Sequence, residues 1–428
     1  MSKQQVVRVG VFFDGTGNNQ ANVAPVSGLA GPGETGSYAN ARSNVALLHA
    51  LYPSGPVDGQ VFLKAYVQGI GTTEGAPDST YAQATGRGET GVAARVEQAL
   101  VMVAEQLRSC QARDPQVLPA CIEFDLFGFS RGAAAARHLA NRLGNGAPGL
   151  PLELQGDRVI NFIGLFDTVA AFVAPLRGDF DPGNSNFHGL QLGLSKRVAR
   201  QVVQLVAGDE QRHNFPLVRS ENDIVVPGVH SNIGGGYLDV MQEQVLLCKP
   251  HSNLVAQTTP AERTRAYAVA TAMLDSAFAN LPEPRPRLVS WEEPIAGSRA
   301  KQDDPQKQVF AAVYREREVN GHLSRVYLSV MRALAVRGGV PFAPLGDDEA
   351  HRLPRELQLI SRKLHDFALG RSKQLELTAQ EQAMLQAKYV HASAHWNAVK
   401  GLQNSALDVM YIDRPADGGR VMHENPVA

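Results

Sequence analysis

The 428-residue chain contains only three cysteines, no long apolar run and almost no net charge. Cys110, Cys121 and Cys248 are an odd number without metal-ligand spacing, so we expect buried thiols and no disulfide framework. A net charge of -1 does not favour broad electrostatic binding to nucleic acid or to an anionic membrane. The 44% hydrophobic and 19% charged content instead indicates a soluble globular protein with a large core.

Signals for membrane insertion and export are also missing. No apolar stretch reaches the roughly 18 residues that a membrane span requires. The N-terminal sequence MSKQQVVRVGVFFDG has no charged region followed by an apolar core and a small-residue cleavage site. We therefore expect synthesis in the cytoplasm without a signal peptide, and export only by a route that does not read one.

Short runs rich in β-branched and aromatic residues alternate with helical segments. Strands are predicted at Val6–Phe13, Val61–Val67, Ile122–Phe127, Val159–Phe166 and Ile224–Val229, and helices at Val92–Gln106, Ala133–Leu143 and Leu194–Val206. This alternation predicts a doubly wound α/β fold, with a mostly parallel sheet and helices on both faces. In such sheets, ligands bind beyond the carboxyl ends of the strands.

The chain divides into three predicted regions. Residues 1–281 form an α/β-hydrolase catalytic core, 282–308 a proline-rich polar linker or surface excursion, and 309–428 a mainly helical C-terminal region that serves as a cap, lid or membrane-docking element. Glycine- and proline-rich loops at 24–36 and 75–91 are expected over the strand ends. The predicted C-terminal helices are Ser324–Val336, Leu353–Leu369 and Thr378–Val399.

The segment FDLFGFSRGAAAARHLA resembles a nucleophile elbow. In such an elbow, a serine protrudes from a strained strand-to-helix turn, and glycines two residues before and after it allow close backbone approach. Ser130 lies between Gly128 and Gly132, after a predicted strand and before a small-residue helix. We therefore predict that Ser130 is a nucleophile, the alternative being an ordinary packing turn.

A serine nucleophile needs a base and an acid that orients it, in the chain order serine, acid, histidine. Asp167 ends the apolar run VINFIGLFD, and His230 ends IVVPGVH, so both follow predicted strands in that order. His391 is a rival base in an amphipathic helical context. The alternatives are a turn aspartate and a structural histidine.

The oxyanion hole is expected to use backbone N–H groups at the same edge of the sheet. We predict donors at Arg131, after the serine, and at Gly15 and Thr16 in the segment FFDGTGNN. Asp14 would hold that loop by accepting hydrogen bonds from its amides. A simple asparagine–glycine turn is the alternative.

The same segment excludes two phosphate-handling sites. FFDGT resembles the loop of aspartate-nucleophile phosphatases of the haloacid dehalogenase type, but Phe12 occupies the position of the required nucleophile. A P-loop is excluded because no lysine and serine or threonine follow the glycines. No cofactor and no metal are expected.

Six motifs, in order, resemble those of one family. VFFDGTGNN, YVQGIGT, GFSRGAAAAR, LFDTVA, GDEQRHNF and VPGVHSNIGGGY are similar to segments of the type VI secretion lipase effectors of bacteria, in the Gly-x-Ser-x-Gly branch. The resemblance spans about residues 9–237 and continues weakly through LSVMRALAVRGG.

The resemblance implies an antibacterial phospholipase A acting on membrane glycerophospholipids through a Ser130, Asp167 and His230 triad. It also implies a cognate immunity protein, a secretion spike or carrier, and delivery into the periplasm of a target cell. One position departs from the family pattern, because Asn232 stands where such proteins usually have aspartate. That substitution places a charge-based role at this position in doubt.

Three other functions remain open from the sequence. The same triad would serve a carboxylesterase acting on small soluble esters. A chain that kept the fold without catalysis would be a binding module, and one that bound a spike without lipid turnover would be a secretion adaptor.

Overall fold

The computed structural model describes residues 5–22, 40–73, 78–79, 86, 88–113, 119–144, 149–172, 181–294, 305–398 and 411–426. The predicted loop at 24–36, and most of the one at 75–91, lie outside these ranges. Thirteen strands lie within the described ranges: β1 Gln5–Phe13, β2 Gly55–Val57, β3 Gln60–Val67, β4 Pro119–Phe129, β5 Arg158–Phe166, β6 Gln201–Ala207, β7 Leu217–Val218, β8 Asp223–Val226, β9 Val240–Leu246, β10 His251–Ala256, β11 Arg287–Pro294, β12 Gln306–Asn320 and β13 Met422–His423.

Eight α-helices accompany these strands in the described part of the chain. They are α1 Asn44–Leu51, α2 Val92–Arg113, α3 Arg131–Gly144, α4 His230–Gly234, α5 Arg265–Ser276, α6 Leu323–Arg337, α7 Arg355–Ala368 and α8 Ala379–Lys388. None of the helices in these ranges is both long enough and apolar enough to cross a membrane.

A seven-stranded sheet forms the centre of the fold. Its strand order is β2-β3-β1-β4-β5-β6-β8, and every pairing is parallel except that of β2 with β3. The predicted α/β fold with a mostly parallel sheet is confirmed. Because the strands are parallel, the residues that follow β1, β4, β5 and β6 meet at one edge.

Hydrophobic cores cover both faces of this sheet. Along β1, Val7, Val9 and Val11 face a core shared with α2 and α3, whereas Phe12 belongs to a second core shared with α1, α6 and α7. This alternation follows from the period-two geometry of a strand. Helices on both faces therefore hold the strand ends in fixed positions.

Three secondary-structure predictions need correction. The predicted helix Leu194–Val206 is wrong, because Gln201–Ala207 is a buried parallel strand whose β-branched residues pack on both faces of the sheet. The predicted helix Thr378–Val399 ends at Lys388. Within the predicted linker or surface excursion at 282–308, Arg287–Pro294 forms a strand that was not predicted.

A second sheet accounts for the last of these errors. It is antiparallel and centred on the 15-residue strand β12, which pairs with β9, β10 and β11. Helix α5 packs on this sheet, where Ala266, Ala270 and Ala311 share a small core. The sheet begins before residue 281 and ends beyond residue 309, so regular structure continues through the predicted linker.

Candidate active site

Ser130 occupies the turn between β4 and α3. Its φ of +59° lies in the left-handed region, which residues other than glycine seldom adopt. The turn is held by a 3.0 Å hydrogen bond from the Ser130 amide to the Phe166 carbonyl, and the Ala133 amide donates back to the Ser130 carbonyl. This is a strained strand-to-helix turn of the kind that presents a nucleophile.

The flanking glycines are needed for close backbone approach. A Cβ at Gly128 would lie 2.4 Å from the Gly132 carbonyl oxygen, and a Cβ at Gly132 would lie 2.3 Å from the Asp14 carbonyl oxygen. Because neither contact is sterically possible, only glycine lets the start of α3 pack directly on the end of β1.

Asp167 and His230 contact each other directly. The Asp167 Oδ2 atom lies 2.5 Å from His230 Nδ1, and Oδ1 accepts a 3.0 Å hydrogen bond from the Ala207 amide. Asp167 is fully buried, with a φ of +46°. Since an ionised carboxylate only accepts hydrogen bonds, this contact makes Nδ1 the protonated nitrogen and leaves Nε2 as the basic one.

The His230 ring lies beside the elbow. Its centroid is 4.6 Å from that of Phe129, the residue before Ser130, and 4.8 Å from that of Phe215. Burial lowers the pKa of His230 although the hydrogen bond to Asp167 acts in the opposite direction. The imidazole is therefore neutral near pH 7, which is the form that a general base requires.

The motif GDEQRHNF holds the loop that bears His230. The Asp209 carboxylate accepts a 2.6 Å hydrogen bond from the Gly228 amide, and Glu210 Oε2 accepts a 3.0 Å hydrogen bond from the His230 amide. Burial acts to raise the pKa of Glu210, but the Arg212 guanidinium lowers it to about 2. Sequence reasoning assigned this motif no role, because its partners are about 20 residues away.

One predicted oxyanion donor is already hydrogen-bonded in this structure. The Gly15 amide donates a 2.7 Å hydrogen bond to Asp14 Oδ1, so an oxyanion would have to compete with that carboxylate for it. In the described part of the chain, the amides of Thr16 and Arg131 have no hydrogen-bond acceptor. Arg131 Nε donates a 2.8 Å hydrogen bond to Thr16 Oγ1, which joins the two segments that bear these amides.

Asp14 connects this loop to β3. Its Oδ2 atom accepts a 2.5 Å hydrogen bond from the Tyr66 hydroxyl, and its side chain is buried. Burial raises the pKa of Asp14. Asp14 therefore ties the loop after β1 to β3.

The rival base His391 belongs to a different cluster. Its ring stacks on Tyr237 with centroids 3.7 Å apart, and its Nδ1 atom accepts a hydrogen bond from the side-chain Nδ2 of Asn232. Burial, with the nearby Arg317 charge, lowers the pKa of His391 to about 3. No hydrogen bond within the described residues joins His391 to Ser130 or Asp167.

The departure at Asn232 has a structural explanation. Asn232 is fully buried, and its Nδ2 atom donates both to the Tyr389 carbonyl oxygen, at 3.0 Å, and to His391 Nδ1. An aspartate has no hydrogen to donate to either acceptor. The amide therefore joins the helix that begins at His230 to the segment after α8.

Arg420 is a site residue that the sequence analysis missed. Its Nη1 and Nη2 atoms each lie 2.8 Å from one carboxylate oxygen of Asp167. Burial alone would raise the pKa of Asp167, but the Arg420 charge and the His230 hydrogen bond lower it below its usual range. The only local signal is the turn sequence ADGGR, in which Gly418 and Gly419 have positive φ.

Comparison with known proteins supports the sequence resemblance. Residues 152–257 match the model of the family described as type VI secretion phospholipase effector Tle1-like, catalytic domain. This match includes Asp167 and His230 but not Ser130. No curated protein sequence gives a significant match.

Two solved structures have similar chains. The first is a Tle1 effector bound to the VgrG spike of the type 6 secretion system, with 27% identity and a TM-score of 0.78 over 99% of this chain and 94% of that one. The chain resembles Tle1 in both sequence and fold. The second is an uncharacterized protein from Pseudomonas aeruginosa, with 19% identity and a TM-score of 0.45 over 89% of this chain and 52% of that one.

The resemblance to type VI secretion lipase effectors is therefore confirmed. The family match and the Tle1-like fold both agree with that resemblance. The α/β-hydrolase-like fold of the sequence prediction is that of the Tle1 structure.

Proposed function

We propose that this chain is a phospholipase A that hydrolyses acyl esters of membrane glycerophospholipids, with Ser130 as nucleophile, His230 as general base and Asp167 as the orienting acid. The observation that supports this most directly is the 2.5 Å contact of Asp167 with His230, next to a strained elbow that presents a serine. The Tle1-like family match indicates the phospholipid substrate class.

The proposed reaction begins with proton transfer. His230 Nε2 removes the Ser130 hydroxyl proton while its Nδ1–H stays hydrogen-bonded to the Asp167 carboxylate. The serine oxygen attacks the acyl carbonyl, and the C=O π electrons move to the oxygen. When the intermediate collapses, His230 protonates the departing lysophospholipid alcohol and leaves an acyl-enzyme, which water then hydrolyses through the same base.

The proposed oxyanion hole consists of the amides of Arg131 and Thr16. Both amides lack an acceptor among the described residues, and the Arg131–Thr16 side-chain hydrogen bond holds their segments together. The first turn of α3 adds the partial positive charge of a helix N-terminus. One such donor contributes on the order of 10²–10³ in rate.

The proposed route to the substrate follows from the Tle1 structure. Because that effector is bound to a VgrG spike, we propose that this chain too is delivered by a spike or carrier protein. Its membrane substrate would be reached from the periplasm of the target cell, and a cognate immunity protein would protect the producing cell.

Product analysis on defined phospholipid vesicles tests the activity. We expect purified protein to release free fatty acid and lysophospholipid, and the S130A variant to release neither while keeping its circular dichroism spectrum. Ser195 is exposed and precedes β6, whereas Ser130 follows β4, so S195A is the matched control that should keep full activity.

Three results separate the alternatives. Full activity of the S130A variant contradicts the assignment of the nucleophile. Turnover of a short-chain ester without any release from vesicles indicates a carboxylesterase instead of a phospholipase. Failure of a serine-directed fluorophosphonate to label Ser130, with no turnover of either substrate, indicates a binding module or adaptor.

A further inference from the structure

We propose that Arg420 is a positioning residue for the reaction, so that the active site is complete only when the C-terminal tail, residues 411–426, is docked. This inference rests on the proposed function, because it assumes that Asp167 orients the base. It adds a fourth residue, and the docking of the segment that bears it, to the proposed triad of Ser130, Asp167 and His230.

The first observation is that Arg420 completes the hydrogen bonding of the Asp167 carboxylate. Oδ1 accepts from the Ala207 amide and from Arg420 Nη1, while Oδ2 accepts from His230 Nδ1 and from Arg420 Nη2. A carboxylate offers about four acceptor positions. All four are therefore filled, and two of them are filled by one residue of the tail.

The second observation is the local electrostatics. The Asp167 side chain is fully buried and the Arg420 side chain is only 7% exposed, so the two charges are paired away from water. A buried carboxylate without a cation would tend to take up a proton. Once protonated, Asp167 would no longer hold the His230 imidazolium that forms during catalysis.

The third observation is that the tail docks through its backbone. The Leu217 amide donates to the Val421 carbonyl and the Arg219 amide donates to the His423 carbonyl, so β13 pairs in parallel with β7. The Ala416 amide donates to the Gln211 carbonyl on the other side of the Gly418–Gly419 turn. The turn is thus held at both ends, and Arg420 leaves it towards the sheet.

A further hydrogen bond fixes the orientation of the Arg420 guanidinium. Arg420 Nε donates a 2.8 Å hydrogen bond to the Phe215 carbonyl, and the Phe215 ring is in edge contact with His230. The fork of Arg420 therefore approaches Asp167 in one orientation. A lysine in this position would keep the charge but lose the two parallel hydrogen bonds.

The test measures how fast a fluorophosphonate labels Ser130, because this reaction reports activation of the serine without needing a particular lipid. We expect R420A to lower the labelling rate constant on the order of 10- to 100-fold, by analogy with the loss of a residue that orients a metal-ligating side chain. R420K should fall between R420A and the unchanged protein. Added guanidinium should restore part of the rate in R420A.

The pH profile of labelling gives a second readout. The charged groups facing the Asp167–His230 pair are Arg420, Arg212 and Glu210. Removal of the Arg420 cation favours protonation of both members of the pair. The acidic limb of the R420A profile should therefore move to higher pH.

Arg219 provides the matched control. It pairs with Glu424 of the same tail through an exposed 3.0 Å contact and does not touch Asp167. R219A should leave both the rate constant and the pH profile unchanged.

Different results count against the two proposals. If the unchanged protein is not labelled at Ser130, the proposed function fails. If it is labelled, and R420A shows the same rate constant and pH profile, the inference about Arg420 is overturned. It is overturned equally if R420A loses only the fraction of protein that can be labelled and guanidinium restores nothing, because that is the behaviour of a purely structural residue.

Discussion

Two buried ionisable side chains, Asp167 and His230, lie only 2.5 Å apart, and the first is charged whereas the second is neutral. Burial disfavours the charged form of each. For Asp167 the Arg420 charge and the His230 hydrogen bond together outweigh burial and lower the pKa, so the carboxyl stays ionised, whereas for His230 burial outweighs the carboxylate and the imidazole stays neutral. Because of this difference, Asp167 is suited to orient the imidazole and His230 is suited to transfer the proton.

A pH dependence follows from this assignment. A general base must be neutral, and burial lowers the pKa of His230 below the ordinary histidine value of about 6.5. We therefore expect the acidic limb of kcat/KM on a short-chain ester to have its midpoint below about pH 6.5. A midpoint clearly above this value would show that the base is not a buried histidine of this kind.

The rival base supplies the control for that measurement. His391 is paired with Asn232 and stacked on Tyr237, and its pKa is lowered to about 3. The H391A variant should keep its acidic limb at the same pH, even if it is less stable, whereas H230A should have no measurable limb because activity is lost. Loss of activity in H391A with retention in H230A would reverse the assignment.

At the scale of secondary-structure elements, the elbow depends on the contact between the end of β1 and the start of α3. Gly132 lies at this contact, and an alanine Cβ would meet the Asp14 and Phe13 carbonyl oxygens at 2.3 and 2.4 Å. We expect G132A to destabilise the protein by about 1–3 kcal/mol, as overpacking of a tight contact does. Activity should fall as well, because the shift moves Ser130 relative to Thr16.

Gly144 at the other end of α3 is the matched position. No described atom lies within 4 Å of where its Cβ would be. G144A should be neutral or stabilising by up to about 1 kcal/mol, because it only reduces the entropy of the unfolded chain. Urea unfolding of both variants tests the pair, and equal stability of G132A and G144A would contradict the close-approach argument.

The elements that could be predicted from the sequence are those whose pattern is local. The buried strands of the parallel sheet are continuous apolar runs, and Ser130, Asp167 and His230 each follow such a run. The strand Gln201–Ala207 was predicted as a helix because a short apolar run is compatible with both structures. The strand Arg287–Pro294 was missed because its alternation is largely polar.

The features of the site that could not be predicted depend on which side chains contact each other in the folded protein. Arg420 reaches Asp167 from 253 positions away in the chain, and nothing in the composition of either segment indicates the other. The engagement of the Gly15 amide by Asp14 is likewise a matter of side-chain orientation, which no spacing determines. In both cases the sequence gives the residues themselves, but it does not indicate which residues they contact.

On the scale of the whole molecule, a network of charged side chains joins the loop that bears His230 to the segments that bear Ser393 and Asp413. Glu210 accepts hydrogen bonds from the His230 amide and from Ser393 Oγ, and Arg212 pairs with both Glu210 and Asp413. Arg212 also lies 3.4 Å over the Phe215 ring. The residues after α8 are thereby fastened to the same loop that holds the histidine.

This network predicts a pH-dependent contribution to stability. The folded pKa of Glu210 is lowered to about 2 from an ordinary value near 4.5, so its ionisation stabilises the fold above about pH 4.5 and the effect is lost as the pH falls towards 2. We expect E210Q to lower the free energy of unfolding by roughly 3 kcal/mol at pH 7, and the gap to shrink by about 1 kcal/mol at pH 4. Urea unfolding at several pH values measures this gap, with E424Q at the exposed Arg219 pair as a control that should show none. A gap that stays constant with pH would mean that Glu210 stabilises the protein through its shape and hydrogen bonds, and not through its charge.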